Sequence, residues 1–244
     1  MGLLGNLKLE RNMMLDLRNM DCMDLMRQYP DKHFDLAIVD PPYGIGASEM
    51  KMGKGKNQLW DKSKSWDSFV PKSDYFFELS RVSKYQIVWG GNYFHLPSVG
   101  GWIFWDKQRD KNLSFSDGEL AWTNFLNVIK KAPIRYDGFI GADNERIHPT
   151  QKPVALYRWL LSNYAKPGDL ILDTHLGSGS IAIACHDLGF DLVASELDAD
   201  YFAAMQERLA RHTAQGNLFK PQIEGEDDVR QNDLFLHPAA KPSA

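Results

Sequence analysis

Asp40-Pro41-Pro42-Tyr43 sets a carboxylate, two rigid imino acids and an aromatic ring in succession, directly after the apolar run Leu36-Ala37-Ile38-Val39. Two consecutive prolines cannot continue a sheet ladder, and they fix φ at both positions. The carbonyls next to Asp40 are therefore held in place without strand partners, able to accept hydrogen bonds from another molecule. A fixed carboxylate beside a flat ring can hold a planar polar group by its hydrogens and take up a proton. The apolar run reads as a buried parallel strand, and ligands in open α/β sheets collect outside the carboxyl ends of such strands.

A second candidate spans residues 170–180. Leu170-Ile171-Leu172-Asp173 reads as a strand, followed by Thr174-His175-Leu176-Gly177-Ser178-Gly179-Ser180, with Ala182 at the third small position of a dinucleotide-type fingerprint. Glycines at a strand-to-helix turn let a ligand approach the backbone, although alone they fit a plain tight turn as well. Glu196 closes the next strand about 20 residues on, where an acidic side chain accepts the hydroxyls of a ribose. A nucleoside-containing cofactor is the expectation. Asp173 would repel a pyrophosphate and suits the cationic end of S-adenosylmethionine, which favours a methyl donor over NAD.

These residues need a scaffold that brings two loops to one edge. Helical spacing covers residues 21–28, with Leu25 and Met26 inward, and strands are expected at 35–39, 85–89 and 101–105. From Pro153 a helix to 164, a strand over 170–173, a helix over 181–188, a strand over 192–196 and a helix over 199–211 alternate as βαβ units. The expected fold is α/β: a single Rossmann-like, doubly wound, mostly parallel sheet with helices on both faces. One domain over residues 1–212 would carry insertion loops at about 47–72 and 106–147, and a polar tail over 213–244 would be disordered.

The net charge of -4 argues against wholesale attraction to polyanions, leaving that to local basic patches. Cys22 and Cys185 are too few for a disulfide framework, and no metal-ligand spacing is visible, so a reducing compartment and no metal are expected. No apolar run spans a bilayer, and the first ten residues lack the order of a secretion signal. A cytoplasmic protein is the expectation.

Together with Trp89-Gly90-Gly91-Asn92 and His148-Pro149-Thr150-Gln151-Lys152-Pro153, the tetrapeptide and the glycine loop resemble the motifs of the amino-group DNA methyltransferases, which act on adenine N6 or cytosine N4. The order, tetrapeptide before glycine loop, is similar to the permuted β group, and the similarity covers most of residues 20–212. The resemblance implies a bacterial or phage-encoded enzyme that uses S-adenosyl-L-methionine, with adenine favoured because Asp stands at position 40. Asp40 and the carbonyls of Pro41 and Pro42 would receive the amine, and Tyr43 would stack on the extruded base. Cofactor contacts would come from Asp21, Cys22, Asp40, Lys152, Asp173, Leu176, Gly177, Ser178, Gly179, Ser180 and Glu196, with the Lys152 segment closing the pocket. His175 and Leu176 depart from the family, which commonly has an aromatic residue there. Cytosine N4 chemistry would use the same geometry. A cofactor-binding DNA regulator without catalysis is disfavoured by the intact Asp40 and Tyr43.

An amine inside a duplex is out of reach, so the base must be flipped out, and phosphate contacts must offset that cost. Lys51, Lys54, Lys56, Lys62 and Lys64, interleaved with Trp60, are candidates for binding double-stranded DNA. Lys107, Arg109, Lys111, Lys130, Lys131 and Arg135 form a second candidate patch. A homodimer is common among the relatives. Gln215 to Phe219 and Gln231 to Phe235 repeat Gln-x-x-Leu-Phe, which resembles peptides that dock on bacterial sliding clamps; the second copy is the candidate, the first reading equally as packing after the last helix. His148 and Pro149 equally fit a turn before a helix, and Trp102, Trp105, Trp122 and Cys185 fit a core.

Overall fold

The computed structural model describes residues 13–46, 67, 70–109, 116–136 and 146–216. In chain order the elements are β1 (Leu15–Asn19), α1 (Cys22–Met26), β2 (Phe34–Val39), α2 (Ser73–Val82), β3 (Ser83–Trp89), a short 3-10 turn (Gly91–Tyr93), β4 (Trp102–Asp106), β5 (Gly118–Thr123), β6 (Lys130–Pro133), α3 (Val154–Tyr164), β7 (Leu170–Asp173), α4 (Ser180–Leu188), β8 (Asp191–Glu196) and α5 (Ala199–Gly216).

All eight strands join one sheet in the order β1-β8-β7-β2-β3-β5-β4-β6. The first five run parallel; β5 is antiparallel to both β3 and β4, and β6 is parallel to β4. Helices cover both faces, as expected. Leu36, Ile38, Trp89, Ile103 and Ile171 point to the side packed by α3, α4 and α5, while Ala37, Val39, Val88 and Leu172 point to α1 and α2. Burial on both faces is why β2 and β7 read as unbroken apolar runs.

Four elements lack a readable signal. β1 is a short edge strand whose outward Asp16 and Arg18 pair with each other at 2.6 Å, which hides its alternation. α2 lies outside the expected helices, although Tyr75, Leu79 and Val82 form its buried stripe. β5 and β6 lie inside the stretch expected to be an insertion at 106–147, yet both belong to the central sheet. Their short, partly charged sequences conceal this. The helix expected over 21–28 starts one residue later because Asp21 serves as its cap, Oδ1 accepting from the Met23 and Asp24 amides.

Candidate active site

The parallel strands β2, β3 and β7 end at one edge, and β5, running the other way, begins there. The backbone amide of Gly90, just after β3, donates to the Leu120 carbonyl at 2.9 Å. Residue 119 is thereby delivered to the rim where Asp40 leaves β2.

Asp40 Oδ1 accepts a hydrogen bond from the Tyr43 hydroxyl (2.7 Å), and Oδ2 accepts from Lys152 Nζ (2.5 Å). Lys152 Nζ also donates to the Tyr43 hydroxyl oxygen (3.2 Å) and lies 3.2 Å from Glu119 Oε2. On the far side, Lys107 Nζ is 2.6 Å from Glu119 Oε1. Carboxylates and ammoniums thus alternate along Asp40, Lys152, Glu119 and Lys107, with the Lys152 side chain only 4% exposed. Buried charges are tolerable when each faces an opposite partner. Burial, joined by repulsion from Glu119, raises the Asp40 carboxyl despite the opposing pull of Lys152. For Glu119 burial also pushes upward, but Lys152 and Lys107 prevail and hold it at about 2. Burial opposes the charge on Lys152, yet Asp40 and Glu119 raise its pKa above the ordinary lysine value.

The Lys152 side chain, expected beside the cofactor, faces Asp40 and Glu119. Lys107, expected in a basic surface patch, is instead buried beside Glu119 and lies 4.9 Å from the Trp105 ring centre. Glu119 escaped the sequence reading altogether, since nothing local marks it and only the antiparallel return of β5 brings it to the edge.

Tyr43, the residue expected to stack on a base, has its ring approached by neighbours. Its ring stacks on Tyr93, centroids 5.0 Å apart and planes 17° from parallel. Gly90 supports it closely: a Cβ there would lie 2.2 Å from Tyr43 Cε1, and its φ of +67° is one that L side chains rarely adopt. The tetrapeptide loop is pinned by a residue the sequence did not reveal. Asp67 Oδ1 accepts from the amides of Tyr43 (2.8 Å) and Gly44 (3.0 Å).

Beside this cluster opens a cavity of about 390 Å³, lined by Cys22, Met23, Pro42, Tyr75 and His175 among others. Burial holds the His175 imidazole down to about 4 and pushes the Cys22 thiol up to about 12, so the lining carries neither an imidazolium nor a thiolate at neutral pH. Asp173, 2% exposed, accepts from the His175 amide; burial, with repulsion from Asp40 and Glu196, pushes its carboxyl up to about 8. Glu196 ends β8 as expected and accepts from the Gly177 amide (2.8 Å) and the Asp198 amide (2.9 Å).

The remaining glycine-loop residues serve the fold more than the cavity. Leu176 is a buried residue of the core. Ser178 and Ser180 are buried; Arg208 donates to the Ser178 carbonyl at 2.6 Å and the Ser180 hydroxyl at 3.0 Å. Gly179, with φ at +71°, leaves room for Met205, whose Cγ would stand 2.3 Å from a Cβ there. Close helix packing by itself requires that glycine.

His148 fits its turn reading, its Nδ1 accepting from the Thr150 amide, and Trp105, Trp122 and Cys185 are buried core residues. Arg109 donates to the Tyr136 carbonyl, Lys131 pairs with Asp106 at 2.7 Å, and Arg135 is exposed. Lys51, Lys54, Lys56, Lys62, Lys64, Lys111 and the Gln231 to Phe235 segment lie outside the described residues. Among the described residues no helix is long and apolar enough to cross a membrane.

Residues 88–207 match the family described as DNA methylase, the N6/N4 type. Just under half of this chain is therefore similar to that family. Within the family's reach, the putative methylase YubD of Escherichia coli K12 is 25% identical over 211 residues, spanning 78% of this chain and 88% of that protein. Type II methyltransferase M.HpaI of Haemophilus parainfluenzae is 35% identical over 66 residues, which is 27% of this chain and 21% of M.HpaI. Among solved structures, the cytosine-N4-specific PvuII DNA methyltransferase has a TM-score of 0.53 at 14% identity, covering 84% of this chain and 92% of that one. The M1.HpyAVI–SAM complex has a TM-score of 0.51 at 17% identity, covering 80% and 100%. At these identities the likeness to the solved structures is one of fold.

Proposed function

We propose that this protein is a DNA methylase that methylates the exocyclic amine of a flipped base in double-stranded DNA, adenine N6 in preference to cytosine N4, with Asp40 receiving the amine. One juxtaposition carries the reading. β2 and β7 are neighbours in parallel register, Leu36 against Ile171 and Ala37 against Leu172, so Asp40 and the Asp173 loop leave adjacent strands at one edge, with the cavity at Pro42 and His175 beside them. The tetrapeptide still precedes the glycine loop in the chain, as in the permuted group, without separating them in space.

The donor set fits S-adenosylmethionine. A mostly apolar cavity with Tyr75 and His175 in its walls suits a nucleoside, the buried Asp173 carboxyl two residues before His175 suits a cationic amine, and Glu196 at the end of β8 is the candidate for the ribose hydroxyls. When bound, that cofactor supplies a methyl group on a sulfonium sulfur.

An exocyclic amine on a nucleobase is a poor nucleophile because its lone pair is delocalised into the ring. Asp40 accepting one amino hydrogen and a proline carbonyl the other would favour a pyramidal nitrogen and stabilise the positive charge it gains. A preorganised acceptor of this kind is worth about 3 kcal/mol. Asp40 then takes the proton that the methylated nitrogen loses, and no thiol is needed. Asp rather than Ser at position 40 supports adenine over cytosine.

Incubating DNA with labelled cofactor, followed by digestion and nucleoside mass spectrometry, tests this directly. N6-methyladenine is the expected product; N4-methylcytosine would identify the alternative base, and cofactor binding without product would identify a regulator. Asp40→Ala should abolish product while calorimetric cofactor binding persists. DNA affinity measured against salt, with the five loop lysines replaced by Ala, should show a shallower slope, and an unchanged slope would remove that loop from the interface.

A further inference from the structure

We propose that Lys152 is a base-reading residue: its ammonium donates to the unprotonated ring nitrogen beside the exocyclic amine while Asp40 accepts from that amine, so the pair recognises the amidine edge common to adenine and cytosine. This rests on the reading above that Asp40 receives an amine.

The Tyr43 hydroxyl shows what the pair can bind. It donates to Asp40 Oδ1 at 2.7 Å and accepts from Lys152 Nζ at 3.2 Å, so a hydrogen-bond acceptor and a donor stand side by side at the rim. An amidine edge offers the matching groups on neighbouring atoms, an N–H for the carboxylate and a lone pair for the ammonium. A lysine ammonium has three N–H donors. Here two face Asp40 Oδ2 and Glu119 Oε2, and the third faces the Tyr43 hydroxyl oxygen. That third donor is the one an entering base would take over from Tyr43.

The ammonium is aimed from behind. Glu119 is itself held by Lys107 at 2.6 Å, and the Trp89 and Tyr43 rings place their centres 5.5 Å and 5.6 Å from Lys152 Nζ. Guanine and thymine present the opposite polarity, a ring N–H and an exocyclic oxygen. Either would set N–H against ammonium and oxygen against carboxylate, leaving buried charges unpaired, and would be rejected.

A merely structural ion pair would orient Asp40 without sensing the ring nitrogen, so a substrate lacking that atom separates the two roles. Duplexes carrying the methylated site are made with adenine or 1-deazaadenine, in which C–H replaces N1, and kcat/KM is measured for the wild type and Lys152→Met. The wild type should lose about 10- to 100-fold on 1-deazaadenine, the worth of a hydrogen bond to a charged group, and the variant's ratio should fall close to one. An equal ratio in both proteins overturns the proposal. Lys152→Met combined with Glu119→Gln keeps the local charge balanced and carries the same two outcomes should the single variant not fold. Where turnover is too slow, the ratio of dissociation constants for the two duplexes is read in the same way. For a cytosine target, 3-deazacytosine takes the place of 1-deazaadenine. Failure of the wild type to methylate unmodified DNA is a different result, which would reject the function itself and this proposal with it.

Discussion

Lys152 Nζ meets Asp40 Oδ2 at 2.5 Å across 112 residues of chain. The contact joins the segment before α3 to the end of β2, and Glu119 from β5 completes it from the side at 3.2 Å. Three separate parts of the chain therefore share one buried electrostatic unit at the sheet edge.

Glu119 is ionised in the fold because two ammoniums hold its carboxyl at about 2, against an ordinary 4.5. The folded pKa being depressed, this stabilisation is complete above about pH 4.5 and is lost as pH falls through about 2. Glu119→Gln should cost about 3 kcal/mol at neutral pH and flatten the acid limb of stability. Urea unfolding repeated from pH 2 to 7 measures both.

Asp173 has the opposite sign. Its carboxyl is pushed up to about 8 by burial, so the contribution is complete below about 3.8 and declines as pH rises toward 8. Asp173→Asn should raise the melting temperature at pH 8 by several degrees and change it little near pH 4. A cationic cofactor end demands the ionised carboxylate, so cofactor binding at pH 7 should release a proton from the wild type and none from the variant. Calorimetry in two buffers of different ionisation enthalpy counts it.

Gly179→Ala should destabilise by about 3 kcal/mol, combining an unfavourable positive φ with overlap on Met205. Met205→Ala in that background should recover part of the loss by relieving the overlap alone. A double-mutant cycle from chemical denaturation gives the coupling.

Lys107→Met should lower stability by about 3 kcal/mol, because it leaves Glu119 short of a buried partner, while the salt dependence of DNA affinity stays as in the wild type. Fluorescence anisotropy across a salt series, beside a thermal melt, checks both halves.

Much of the scaffold was legible from residues alone. The apolar runs of β2, β7 and β8, the helical spacing of α3 to α5 and the breaks at Pro41-Pro42 and Pro167-Gly168 report burial and backbone geometry that are local to each segment. So the sheet class, the shared edge, and Asp40, Asp173 and Glu196 as its acidic residues were within reach. β1, β5 and β6 were not, because short or edge strands with charged outward residues carry too little periodicity.

The sequence by itself determined which residue types arrive at the ends of the strands. Only the tertiary structure decided that Lys152 faces Asp40, that Glu119 stands between two lysines, that Lys107 is buried, that Tyr93 covers Tyr43, and that Gly179 makes way for Met205. Those outcomes depend on strand order and register between segments far apart in the chain, and Coulomb and contact forces act on the distances that result, which no local pattern encodes.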